Sequence, residues 1–299
     1  VIRVVQLVSH PVKGCAGTSS DSAVLTPAGL AHDRTFMVVD EDGVFRTQRR
    51  HPRLALIRPE VGGDGATITL DSAGSGGRRG AVRVEVDTDG PRRAVDLFGE
   101  AFHGIDQGDA VAEWLSDFLG DPSRLVRVPP EHDRVAGGRT PGPSGYADSS
   151  AVHLLSRASL AELNRRTAER GAPPVPMDRF RPNIVIDGDG DGDGDGDVDG
   201  DRDGTAGAGL PAHAEDLMRH VAVGEAELGY AKLAVRCAVT LVDQGRGLRA
   251  GPEPLRTLAS YRRAAGGGVV FGAKFSVLRP GKLSVGDELD VREWGESER

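Results

Sequence analysis

Apolar positions in the first hundred residues recur in short β-branched runs, not at helical spacing. The opening VIRVVQLV is one such run. TFMVVDEDGVFRTQ, from residue 35, predicts two strands joined through a turn at Asp42 and Gly43, and ATITL and AVRVEV follow with a Gly/Ser/Arg loop between them. Strands at this spacing belong to barrels and sandwiches. The period then changes: Val111, Trp114, Leu115, Phe118 and Leu119 fall at i, i+3, i+4, i+7 and i+8. They predict a helix with Asp109 as N-cap and Gly120 as stop, laid over an open face of the first sheet.

PPEHDRVAGGRTPGPSG, from residue 129, has no periodicity and reads as a loop or boundary, dividing the chain into units 1–128 and 129–299. Beyond it, SRASLAELNRRTAERG predicts a helix capped by Ser156, with Leu160 and Leu163 inward and Gly171 at its end. EPLRTLASYRR predicts another, with Glu253 in its first turn and two arginines in its last. FSVLRPGKLSVGDELDV reads as strand, Pro-Gly turn, strand. The expected class is β-rich α+β.

At 299 residues and 38% hydrophobic, the chain has room for one large or two medium domains with an ordinary core. Its formal charge of −8 is local: DGDGDGDGDGDVDGDRDG, from residue 187, carries nine aspartates and one arginine. The remainder is balanced, without the clustered basic surface expected for a nucleic-acid partner. The tract lacks the turn glycine and bidentate glutamate of a calcium loop; a disordered surface insertion over 187–209 is expected, with a weak ion site as the lesser reading. No apolar run is long enough to span a membrane, and the opening lacks the features of a secretory signal, so a cytoplasmic location is expected.

Two cysteines are too few for a disulfide framework, a thiolate-built zinc centre or an iron–sulfur cluster. Four islands set cations or small polar residues beside apolar strands: HPVKGCAG, LAHDRTFMVVD, DRFRPNIVI and VRCAVTLVD. Singly, each has an ordinary reading, because a charged residue beside a strand is commonly surface and a buried thiol behaves as a small hydrophobe. Composition and spacing support a β-rich protein with a candidate anion pocket.

Taken together and in order, PVKGC, GLAHDRTFMVVD, FRPNIVI, RCAVTLVD, EPLRTLASYR, VFGAKFSV and PGKLSVGDELDV resemble the MOSC superfamily. The closer resemblance is to its branch with an N-terminal MOSC β-barrel domain ahead of the MOSC domain, the amidoxime-reducing branch. It implies a molybdenum cofactor, a pterin dithiolene with a terminal phosphate, held between two β-rich domains, with Cys237 as the fifth ligand of the metal. A polarisable thiolate suits such a metal, and an arginine beside a thiol favours its deprotonated form, the place Arg236 occupies.

By motif match, Lys13, Gly14, Arg34, Arg181 and Asn183 should line the cofactor pocket, and Ser149 and Ser150 should contribute hydroxyl and backbone contacts. Arginine offers an anion a planar fork and lysine a point charge. Ordinary alternatives stand beside these: Arg34 paired with Asp33 or Asp40, Asn183 capping a turn. Asp243 reads equally as a catalytic proton donor or as the closure of a turn. Cys15 is expected to be a packed thiol. Departures from the family pattern are Gly14, Ala234 and Ala273; the last, in FGAKF, stands where an amide is common and is expected to alter substrate contacts.

The activity that the resemblance implies is reduction of N-hydroxylated or N-oxide compounds by oxygen-atom removal. Electrons would come from a separate donor such as a ferredoxin or a flavin reductase. The alternative is a cofactor carrier or sulfur-transfer module related to the C-terminal part of molybdenum cofactor sulfurases, without turnover of its own.

Overall fold

The computed structural model describes residues 1–72, 80–188 and 209–299. Its largest sheet has eight strands, in the order 289–294, 218–223, 226–236, 269–279, 152–156, 184–188, 2–9, 18–20. Strand 2–9 also meets the segment leading into 289–294, at the other end of this order. Arg3 bridges Glu288, Val4 N–H donates to the Asp287 carbonyl at 2.9 Å, and Gly286 N–H donates to the Val4 carbonyl at 2.8 Å. Closure leaves few free strand edges and encloses one apolar core, which includes Leu7, Leu154, Ile184, Tyr230 and Phe275.

A five-stranded sheet, ordered 92–97, 100–106, 124–127, 36–39, 12–13, belongs to the first half of the chain. All four residues of Phe36–Val39 are buried, two on each face. Helix α1, Asp109–Leu119, lies over one face with Val111, Trp114, Leu115 and Phe118 inward, against Ile68 and Leu70 of the neighbouring three-stranded sheet. This is the predicted helix on the predicted face. Its N-cap is Gly108, and Asp109 is its first residue, where the carboxylate accepts from Arg124 at 2.8 Å. Gly120 ends it with φ 80°, a conformation costly to any residue with a Cβ.

Three other expectations are corrected by tertiary pairing. The second strand predicted after Asp42–Gly43 forms only isolated bridges at Val44 and Phe45, because Asp40 Oδ1 takes the N–H groups of Asp42 and Val44 and curls the segment. Helix α2, Arg157–Ala168, follows the predicted Ser156 cap, whose Oγ accepts from Ser159 N–H. Helix α3 is only Leu255–Leu258. The predicted continuation is pulled away where Arg262 is buried in an ion pair with Asp216. After Pro280, Gly281–Ser284 leaves the large sheet to pair with Ser22–Thr26.

The sheets also cross the expected boundary at residue 128, since Ile2–Ser9 and Thr18–Ser20 belong to the large sheet with the C-terminal strands. Asp187 and Gly188, expected to open a disordered insertion, instead end a strand and pair with Arg3 and Ile2. The rest of that tract, 189–208, lies outside the described residues. Among the described residues, no helix is long and apolar enough to cross a membrane.

Leu115 is fully buried in the core beneath α1. Leu115→Ala should lower the unfolding free energy by about 3 kcal/mol, through lost transfer energy and an unfilled cavity. Denaturant titration measures it; a loss under about 1 kcal/mol would mean the helix is not anchored there.

Candidate functional site

A cavity of about 350 Å³ opens where both halves of the chain meet. Eight cationic side chains line it, Lys13, Arg34, Arg46, Arg49, Arg181, Lys232, Arg236 and Lys274, against one carboxylate, Asp148. Such a surplus defines an anion site.

Arg34 is the most constrained of these cations. Its backbone lies in the left-handed region at φ 47°. Its Nη1 donates to Asp33 at 2.6 Å and to Asn183 Oδ1 at 3.1 Å, and Nη2 reaches the Arg181 carbonyl at 3.3 Å. Burial pushes the Asp33 carboxyl upward, but Arg34 and the His10 contacts outweigh it, and the group is lowered to about 2. His10 and His153 are buried close by and lowered well below their usual range, chiefly by burial and then by neighbouring cations, so they are neutral.

Strand 12–13, parallel to 36–39, delivers Lys13, whose Nζ donates to the Tyr146 carbonyl at 2.9 Å and pairs with Asp148. The same ammonium sits 4.8 Å from the ring centre of Phe98 and 5.3 Å from that of Phe45. Phe98 has φ 61° in a tight hairpin turn, and its half-exposed ring forms an aromatic wall of the cavity. Burial favours neutral Asp148, but Lys13 overrides it and holds the carboxyl well below the usual range. The loop carrying Asp148, Ser149 and Ser150 is braced by Arg134, which donates to the carbonyls of Gly145 and Ala147 at 2.9 and 2.7 Å. Ser144 Oγ donates to the Ser149 carbonyl.

Several buried donors here have no partner among the described residues: Ser150 Oγ, Arg181 Nη2 and Arg236 Nε. A buried polar atom without a hydrogen bond costs on the order of 1–3 kcal/mol, which an anion in the cavity would recover. Arg181 and Arg236 are each pushed down to about 10, first by burial, and both stay charged at neutral pH. Arg236 is fixed by donating to the Phe180 carbonyl at 2.9 Å.

Cys237 follows the last residue of strand 226–236 and precedes the short helical turn Ala238–Leu241. Its carbonyl accepts from Thr240 N–H at 3.1 Å and Oγ1 at 2.9 Å, so the backbone is tied while the thiol is exposed at the cavity. Cys15 is the opposite case, fully buried, with its thiol pushed up to about 12 by burial. Among the described residues, no three His, Cys, Asp or Glu side chains gather as a metal cluster. A metal at Cys237 therefore needs further ligands from a cofactor.

Of the predicted site residues, Lys13, Gly14, Arg34, Ser149, Ser150, Arg181, Arg236 and Cys237 line the cavity. Asn183 does not. Buried behind Arg34, it accepts from Arg34 and His153 N–H and donates to the Val8 carbonyl at 3.1 Å, which makes it a positioning residue. Asp243 also stands outside the lining. Its Oδ1 accepts from the N–H groups of Gly245 and Arg246 at 3.0 and 2.9 Å, the turn-closing reading.

Gly14 turns the chain at φ 81°, and its carbonyl is taken by Gln48 Nε2 at 2.6 Å. Ala234 lines the cavity, but Ala273 is buried in the sheet core and cannot alter substrate contacts directly. Strand alternation puts the next residue, Lys274, at the cavity. Lys274, in FGAKF, and Asp148, directly before Ser149, line the cavity although neither was expected there from the sequence.

The MOSC N-terminal beta barrel domain family matches residues 1–122, and the MOSC domain family matches residues 141–290. This chain belongs to the MOSC family. It is 32% identical over 304 residues to mitochondrial amidoxime-reducing component 1 of Homo sapiens, covering 96% of this chain and 82% of that one. The Mus musculus counterpart is 33% identical over 304 residues, covering 96% and 81%. Molybdenum cofactor sulfurase of Danio rerio is 31% identical over 280 residues, 88% of this chain but 30% of the sulfurase. Of these relatives, the sulfurase is the one whose name refers to the molybdenum cofactor.

Lys274 has no ion pair among the described residues, and burial first, then Arg34 and Arg236, lowers it to about 7. Unfolded, it would titrate near 10.4, so between those values the unfolded chain binds more protons and stability rises with pH. In cofactor-free protein, Lys274→Gln should raise the melting temperature at pH 6, with the gain shrinking as pH rises from 7 towards 10. Calorimetry across that range checks it; no gain at pH 6 would place the amine in open solvent.

Proposed function

We propose that this MOSC protein is a molybdenum-dependent reductase of N-hydroxylated or N-oxide compounds, with Cys237 Sγ as the metal ligand. One observation carries the reading: the exposed thiol opens into the same cavity as Arg181, Arg236 and Ser150, whose buried donors lack partners. That donor set fits a cofactor with a phosphate at one end and a thiol-seeking metal at the other.

Lys13, Arg34 and Arg181 would hold the phosphate, with Ser149 and Ser150 supplying hydroxyl and backbone groups. Arg236 sets a fixed positive charge beside the Cys237 thiolate. Two-electron oxygen-atom chemistry is what the molybdenum cofactor supplies when bound. Taking oxygen from an N–O group also consumes protons. Asp148, held as a carboxylate by Lys13, cannot give one near neutrality, whereas Lys274 Nζ, at about 7, can hold one and release it. Phe45 and Phe98, packed edge to face, offer an apolar wall to the organic part of a substrate.

A reducing cytoplasm would keep both thiols free. Electrons come from a separate protein, of the ferredoxin or flavin reductase type. The sulfurase match leaves most of that protein unrepresented, so its sulfur transfer is not carried over; a simple cofactor carrier would bind molybdenum without turnover.

Elemental analysis of the purified chain should find close to one molybdenum per chain, with turnover of an amidoxime when an artificial electron donor is supplied. Cys237→Ser should abolish turnover, whereas Asp243→Asn should keep it within about threefold, the small effect expected away from the reacting atoms. Full activity in Cys237→Ser would remove the metal-ligand assignment, and metal without turnover in the wild type would leave the carrier.

A further inference from the structure

Beside the cavity mouth lies a cluster of exposed arginines that the reduction itself does not use. The chain runs from Cys237 through the turn 238–241 into a small hairpin, in which Val242 pairs with Arg249 and Asp243 with Leu248. This hairpin packs on the helical turn Pro52–Leu56. Gly247 comes so close that an added Cβ would lie 2.6 Å from Leu56 Cγ and 3.3 Å from Arg53 Cα. Reciprocal amide bonds between Gln48 and Gln244, 3.0 and 2.9 Å, tie the two segments together. Arg49, Arg50, Arg53, Arg246 and Arg249 are exposed on these tied segments, with Leu248 42% exposed among them. Arg53 stacks on Phe118, and among the described residues none of the five forms an ion pair with a carboxylate.

Several exposed arginines elsewhere sit on carboxylates, as Arg92 does on Glu131, Arg165 on Glu162 and Arg279 on Glu227, whereas Arg58, Arg170 and Arg263 are exposed singly, away from any such cluster. Asp243, the acid within the hairpin, has Oδ1 engaged by backbone N–H groups. An unneutralised basic patch around an apolar residue is the form of a surface that steers and seats an acidic protein. Arg49 and Val239 belong both to these segments and to the cavity lining, so the patch is continuous with the mouth.

We infer that this arginine patch is the docking surface for an acidic electron-transfer protein, which delivers electrons beside Cys237. The assignment of electrons to the partner rests on the reductase reading. An extended nucleic acid is disfavoured because the patch is small.

The test uses the holoprotein and the triple variant Arg50→Glu, Arg246→Glu, Arg249→Glu, which leaves the cavity lining intact. A reduced plant-type [2Fe–2S] ferredoxin serves as the acidic donor and reduced methyl viologen in 0.5 M salt as the small one. With ferredoxin at low salt, the variant should lose about tenfold or more in kcat/KM, and the wild type's fall with rising salt should flatten, as for any steered encounter. Turnover with viologen should stay within about twofold.

Calorimetry of oxidised ferredoxin on both proteins gives a second readout independent of chemistry, with Kd expected to weaken about tenfold in the variant. Unchanged ferredoxin kinetics and binding overturn the inference. So does tighter binding of single-stranded DNA than of ferredoxin at the same salt. If viologen-driven turnover is absent from the wild type, the reductase reading fails instead, and the calorimetric result still decides the patch.

Discussion

Like charges gathered around one cavity repel each other, and burial makes each costlier still. The site exists because the fold offsets that repulsion with fixed acceptors. Arg34 is held by Asp33, by the Asn183 amide oxygen and by the Arg181 carbonyl; Lys13 by Asp148 and the Tyr146 carbonyl; Arg236 by the Phe180 carbonyl. Most of these acceptors are neutral, so they fix the cations without cancelling their charge. What remains is a preorganised positive surface whose donors Arg181 Nη2, Arg236 Nε and Ser150 Oγ wait for an anion.

Those acceptors come from distant parts of the chain, and the closed eight-stranded sheet is what assembles them. Strand 2–9 belongs to the first half in sequence and pairs with 184–188 in space. That pairing puts Val8 against the Asn183 amide, and the chain then turns through His10 towards Lys13 and Arg34. The five-stranded sheet grips the other side through Phe36–Val39, with Lys13 and Val12 on its edge.

The islands PVKGC, HDRTF, FRPN and RCAVT were legible because each places a cation, a turn glycine or a thiol where a strand ends, and five of the side chains expected from them, besides Gly14, line one cavity. Secondary structure was legible where the local signal is strong, as in the Ser156 cap and the Gly120 stop. It failed where distant partners compete. Arg262 answers to Asp216 rather than to its helix, and Gly281–Ser284 joins Ser22–Thr26 rather than its preceding strand. Asn183 and Asp243 sit in the right motifs, yet their oxygens face other protein groups, a direction no spacing reveals. Lys274 was missed because strand alternation decides which of Ala273 and Lys274 meets the cavity, and its phase is set by pairing with strands 152–156 and 226–236.

The two cysteines show how far environment, not residue type, assigns chemistry. Cys15 lies in the PVKGC island beside Lys13, but it is sealed among Val12, Leu54 and Ile57 and pushed up to about 12. A thiol there stays protonated and cannot serve a metal. Cys237 stands at a strand end, where the chain stops pairing and leaves the side chain open, with a cation as its sequence neighbour. Exchanging the two surroundings would exchange the roles. The same reasoning explains why Asp148 stays a carboxylate beside Lys13 while Lys274, buried and facing Arg34 and Arg236, is lowered to about 7. In this cavity, charge state follows from which groups were given partners, and the groups left without them are the ones available to a ligand.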